Sequence, residues 1–143
     1  MDGLLERRHS SLSADENKAL IRRVYMEGFN KGILAVVDEV FTPHFVDHST
    51  PDQAPGIDGV KEYITAVCKG FPDISVTIED LVATVDSVAV RTTWRGAHLG
   101  EYEHIAPTGK QITRTMIQVF RVVEGKLSEE WSEGESLRQQ ISQ

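Results

Sequence analysis

At 143 residues, with 40% hydrophobic and 26% charged residues, the chain has the size of one domain that buries its own core. A net charge of −7, with basic residues adjacent only at Arg7-Arg8 and Arg22-Arg23, argues against the basic face of a nucleic-acid binder. The lone Cys68 rules out an internal disulfide, no apolar run reaches the roughly 18 residues of a membrane span, and a cytoplasmic protein is expected.

Residues 1–12 hold two arginines with no apolar segment behind them. A disordered or extended segment is expected there instead of a signal peptide, ahead of a single domain over 13–143. Ser13 reads as a helix N-cap, with Glu16 completing a capping box. Leu20, Ile21, Val24, Tyr25 and Gly28 then form a helical stripe ending near Asn30-Lys31-Gly32. A second short helix runs from Ile33 to Phe41, stopped by Thr42-Pro43. Phe45 to His48 is a short extended piece before a Pro-, Gly- and Asp-rich loop over 49–59. Asp58 or Gly59 opens a third helix with Val60, Ile64, Val67 and Phe71 on one stripe, and Cys68 on it reads as packing.

After Pro72-Asp73 the pattern becomes that of strands. Ile74 to Thr84 alternates apolar and polar residues, followed by long strands over Val88–His98 and Gln111–Val123 and a further one over Leu127–Glu133. Glu135 to Ile141 closes as a short helix. Helices followed by an antiparallel meander, with a small extra strand near His48, predict an α+β fold. Pro107 to Lys110 forms the entry turn, and Gly125-Lys126 the reversal, of a final hairpin. At period two, Glu129, Trp131, Glu133 and Glu135 share a face, an aromatic wall beside acids that suits a tuned proton acceptor. The plainer alternative is a solvated acidic strand end with one buried tryptophan.

Polar residues also stand where a purely structural strand carries apolar ones: Arg91 and Thr93 on one strand, Arg114, Met116 and Gln118 on the face of the next, and His48 at the end of the short strand. A curled sheet would gather Arg91, Gln118, Glu133, Glu135 and His48 into one small-molecule cavity. Taken singly, Arg91 reads equally as a surface arginine, His48 as a turn cap, and Gln118 as a group pairing with a partner chain. His44 and His48 are four apart but not helical, and His98 and His104 straddle a loop, so no metal site is expected. Phosphate-loop, nucleophile-elbow and dinucleotide fingerprints are absent.

Phe45-Val46-Asp47-His48, Gly56 to Lys61, Val90 to Gly100, Ile105 to Lys110, Phe120-Arg121 and Gly125 to Trp131, ending in Gln139-Gln140, come in a familiar order. Over roughly residues 14–141 the chain resembles the SnoaL-like polyketide cyclases, or ester cyclases, of the nuclear transport factor 2-like superfamily. The resemblance implies a cone in which three N-terminal helices close a strongly curved antiparallel sheet around an apolar pocket. It also implies a homodimer or higher homo-oligomer built through the sheet. Family cyclases close a ring by intramolecular aldol condensation of a polyketide methyl ester, without cofactor or metal. An acidic residue removes the α-proton while polar neighbours hold the enolate.

Glu133 matches the acid two residues after the tryptophan in related epoxide hydrolases, and Glu135 the acid four residues after it in ester cyclases. Arg91 matches a pocket arginine and His48 a pocket His or Asn. The implied catalytic set is Glu135, Glu133, His48 and Arg91, with Gln118, Arg114, Met116, Trp131, Thr93 and His98 binding a small apolar carbonyl or polyketide-like ligand. The chain departs from the pattern in having Glu at both acidic positions, Thr93 where epoxide hydrolases have a second aspartate, and His104 where many relatives have Gly. A non-catalytic hydrophobic-ligand or protein-interaction module is the rival reading, and an epoxide-hydrolase-like or dehydratase-like enzyme the third.

Overall fold

Two asparagines tie the first helical layer to the edge of the sheet. In this computed structural model, which describes the backbone of residues 2–143 and side chains from residue 13 onward, helix α1 spans Asp2–Arg23 and continues as a π-helical segment, Val24–Phe29. Asn17 Nδ2 donates to the carbonyls of Thr84 and Val85 (2.9 and 3.1 Å). Asn30 Nδ2 donates to the carbonyl of Val76 (3.0 Å) while its Oδ1 accepts from the Val76 amide (2.7 Å). Asn30 thereby caps ladder groups of an edge strand that would otherwise stay open, and Asn17 holds the turn that follows that strand.

Ser13 lies inside α1 instead of capping it, because no proline interrupts the good helix formers on either side. The expectation for residues 1–12 concerns a stretch whose side chains lie outside the described residues. Gly32, at φ +68°, ends the first helical unit in the left-handed conformation expected of a C-terminal cap. Helix α2 (Ala35–Val40) leads directly into strand β1 (Phe41–Asp47), and helix α3 (Gly56–Gly70) follows the proline-rich loop.

Strands β2 (Ser75–Ala83), β3 (Ser87–Ala97), β4 (Gln111–Val123) and β5 (Lys126–Gly134) form an antiparallel meander, and β1 adds to β5 in parallel, giving the order β1-β5-β4-β3-β2. Helix α4 (Leu137–Ser142) closes the chain, with Ser136 and Gln139 forming a reciprocal capping box. The fold is α+β, as expected. Along β3 and β4 the inward residues Val88, Val90, Thr92, Trp94, Ile112, Arg114, Met116, Gln118 and Phe120 alternate with outward ones. Helices pack onto that inner face through Ile21, Tyr25, Phe29, Val36, Ile64 and Val67, all buried.

The pairing slips at two places in the meander. One is between Ile78 and Asp80 on β2; the other sets Arg121–Val122 of β4 against Glu129–Leu127 of β5, leaving Ser128 as an extra residue. A bulge of this kind bends the strand and moves every later side chain to the opposite face. Leu127 points inward, yet beyond the bulge it is Glu130, Ser132 and Gly134 that face in, opposite Phe120, Gln118 and Met116. At Gly134 φ is +147°, and a Cβ there would stand 2.3 Å from Met116 Sδ, so the strand ends where only glycine fits.

Candidate active site

The concave face of the sheet and the helices enclose a cavity of ≈ 240 Å³, walled by Phe29, Phe45, Tyr63, Trp94, Met116 and Phe120 among others. Phe29 meets Trp94 edge-on at 4.7 Å and Tyr63 at 6.0 Å, so much of the lining is rigid aromatic surface. Ser49, Thr50, Gln53, Glu103, Ser136 and Arg138 line part of it, and two further polar sets reach it from the sheet. One is a chain of hydrogen bonds that ends on Glu130; the other is the guanidinium of Arg114.

The first begins at Tyr25, whose hydroxyl donates to Gln118 Oε1. This fixes the amide so that Nε2 donates to Glu130 Oε2 (2.5 Å) and to Ser132 Oγ (3.2 Å). The Ser132 hydroxyl in turn donates to the same carboxylate oxygen (2.9 Å). Burial pushes the Glu130 carboxyl up to about 8, helped by the charge of Asp47, its register partner on β1, while the Ser132 and Gln118 hydrogen bonds pull it down. Asp47 itself is raised by burial, against the Ser49 amide that donates to its Oδ1 at 2.9 Å. Tyr25 is held well above its ordinary value by burial, then by Glu130, so its hydroxyl stays a donor.

Three of the expected residues reach the cavity wall, and a fourth lies behind it. Gln118, Arg114 and Met116 line it, as expected from their shared face on β4. His98 is fully buried behind it, with Nδ1 accepting from the Thr108 amide (3.1 Å) and the ring tilted against Phe71, so it braces a loop without facing the cavity.

The remaining expected residues lie on the convex face. Trp131 is 37% exposed and stacks on the His48 ring at 4.6 Å, and His48 Nε2 lies 3.2 Å from Glu129 Oε1. Glu133 is exposed opposite Ile117. Arg91 pairs outward with Asp80 (2.7 Å), and Thr93 donates to Glu79 (3.0 Å). Past Gly134, Glu135 accepts from Gln140 and Gln143 at the surface (3.3 and 2.9 Å). The expected face of Glu129, Trp131 and Glu133 is real, but the Ser128 bulge turns it away from the cavity, and the break at Gly134 sends Glu135 elsewhere. Sequence reasoning misses Glu130, Ser132 and Tyr25. A bulge has no reliable mark in a strand as polar as Lys126–Gly134, and Tyr25 reads as one more member of an apolar helix stripe.

Among the described residues, no group of three or more His, Cys, Asp or Glu side chains is arranged to hold a metal ion, and no helix is long and apolar enough to cross a membrane.

The cone architecture, its internal cavity and the meander order define a SnoaL-type α+β domain. A family model for SnoaL-like polyketide cyclases matches residues 19–140, and the chain belongs to that family. Among solved structures, it is 31% identical to IdmH, a polyketide-cyclase candidate from Streptomyces antibioticus, over 87% of this chain and 97% of that one, with a TM-score of 0.70. AclR, a hydroxylase candidate from Streptomyces galilaeus, is 26% identical over 90% and 81%, with a TM-score of 0.76. A SnoaL-like polyketide-cyclase candidate from Jannaschia is 24% identical over 90% and 91%, with a TM-score of 0.79, a likeness of fold. Comparison with curated proteins gives no match.

Proposed function

We propose that this protein is a cofactor-free cytoplasmic cyclase whose general base is Glu130, acting on a carbonyl compound held in the aromatic cavity. The observation that carries this reading is the Glu130 carboxyl itself: half-buried on the cavity wall, raised by burial to about 8, and oriented by Gln118 and Ser132. A base of that strength is matched to protons lying between two carbonyl groups. In its ionised form Glu130 takes such a proton, leaving the C–H electron pair in an enolate. The enolate carbon then attacks a second carbonyl carbon of the same molecule; a C–C bond forms as the carbonyl π pair moves to oxygen. That oxygen recovers the proton from Glu130, which is returned to its starting state, so the aldol step balances without an external reagent.

Tyr25 takes no proton in this scheme. It orders Gln118, which keeps both amide hydrogens aimed at the carboxylate and the serine. Family membership supports cyclisation over other uses of a base, although a relative described as a hydroxylase candidate shares the fold, and fold alone does not select chemistry. The test is turnover of cyclisable β-keto esters, with solvent deuterium entering the acidic position. Glu130→Gln should abolish both, and Glu133→Gln and Glu135→Gln should leave both within about twofold. Full exchange in Glu130→Gln would remove the base from the scheme. If wild-type protein retains an apolar ligand unchanged by native mass spectrometry and exchanges nothing, the non-catalytic reading is favoured.

The convex face suits self-association through the sheet. Val46, Val82, Ile117 and Trp131 are exposed there, at 45, 63, 54 and 37%. Trp131→Glu should shift sedimentation from dimer to monomer if that face is the contact.

A further inference from the structure

The second polar group of the cavity is a cation with no anion. Arg114 sits on the inward face of β4, 5% exposed, its guanidinium carbon 4.3 Å above the centre of the Trp94 ring. Nη2 donates to the Tyr63 hydroxyl (3.2 Å) and Nη1 to the Glu135 carbonyl oxygen (3.3 Å). Nε is buried with no hydrogen-bond partner. None of the ion pairs among the described residues includes Arg114, whereas Arg23, Lys61 and Arg91 each meet a carboxylate. Glu135, the acid whose backbone it touches, turns its own carboxylate to Gln140 and Gln143.

A guanidinium offers five N–H donors, and burying one without a counter-ion is strongly unfavourable unless something supplies the negative charge. The acids on the wall do not compensate: Glu130 is held largely neutral near pH 7, and Glu103 is exposed, with no ion pair among the described residues joining it to Arg114. We propose that the substrate carries a carboxylate, bound by the unused edge of the Arg114 guanidinium against the Trp94 ring. The inference rests on reading the cavity as the reaction site, and it narrows the substrate class from a neutral ester to a carbonyl compound with a free acid.

The placement suits such a molecule. Arg114 and Gln118 are four residues apart on one face of β4, about 13 Å along the strand. The carboxylate docks at one end of the cavity and the acidic C–H reaches Glu130 at the other. A planar monoanion fits one buried guanidinium backed by an aromatic ring. A phosphate would need more donors, and the other arginine at the cavity, Arg138, is exposed and donates to the Glu103 carbonyl (2.6 Å).

Two probes of one shape, 1-naphthoate and the neutral 1-naphthamide, separate charge from fit. By titration calorimetry at pH 7 the wild-type protein should bind naphthoate at least tenfold more tightly. Arg114→Gln should bind the two equally, and Arg114→Lys should keep part of the preference. Should the glutamine variant not fold, the Nε–H resonance of Arg114 in labelled wild-type protein decides the matter: it should shift with naphthoate and not with naphthamide. Equal affinity of the two probes for wild type, including no detectable binding of either, overturns the inference. So does a preference that survives in Arg114→Gln, or an Nε–H resonance that stays in place. Glu130→Gln is expected to keep the naphthoate preference while losing turnover; a Glu130→Gln variant that turns over normally would sink the base and leave the anion site standing.

Discussion

Glu129 and Glu130 are chain neighbours on one strand, and they live in different solvents. Glu129 faces the convex side, 42% exposed, beside an imidazole. Glu130 faces the cavity, where burial and Asp47 raise it to about 8 while Gln118 and Ser132 hold it in place. The residue type is the same, so the difference in chemistry lies in the face alone. Which face each acid takes is decided by one extra residue, Ser128. The contrast teaches that in this fold the site is written in strand parity as much as in residue identity.

The harshest way to break the comparison is Glu130→Gln, which should lower turnover by roughly 10²–10⁴, the range for a positioned acid–base group, while Glu129→Gln stays close to wild type. Activity should also rise with pH and level off above about 8, as the carboxyl ionises.

Legibility in the sequence follows the same boundary. On β4, thirteen residues alternate without a break, so parity alone puts Arg114, Met116 and Gln118 on one face, and all three line the cavity wall. The helices, the meander and the extra strand β1 are readable because apolar periodicity persists through each of them. On β5 the same period-two logic begins correctly at Leu127 and is inverted one residue later, so it puts the acids on either side of Trp131 on the wrong side of the sheet. Arg91 fails for a related reason. Its strand position alternates properly, but an outward arginine on β3 finds Asp80 across the ladder, and nothing in local sequence reveals that partner.

A subtler effect sharpens the contrast through stability. Glu130 holds its proton more tightly in the folded chain, near 8, than at its ordinary value of 4.5. Its neutral form therefore supports the fold fully below about 4.5, and that support is lost as pH rises towards 8, by up to ~1.4 kcal/mol per pH unit for one group. Glutamine carries no such proton. The stability of Glu130→Gln relative to wild type should grow between pH 5 and 8 in urea titrations. A difference that stays constant across that range would mean the carboxyl is not desolvated.

The smallest effect belongs to the outer acid. Glu129 meets His48 at 3.2 Å, but both side chains are about two-fifths exposed, and water screens such a pair. A double-mutant cycle of His48→Ala and Glu129→Gln should return a coupling of less than about 1 kcal/mol, shrinking further in high salt. The His48–Trp131 stack should survive Glu129→Gln, since it is held by ring contact at 4.6 Å and not by charge. A coupling as large as the pH-dependent term at Glu130 would require the convex face to be dry. Only a partner covering Trp131 could make it so, and the same cycle repeated on the monomeric Trp131→Glu protein would then return the small value expected of an open surface.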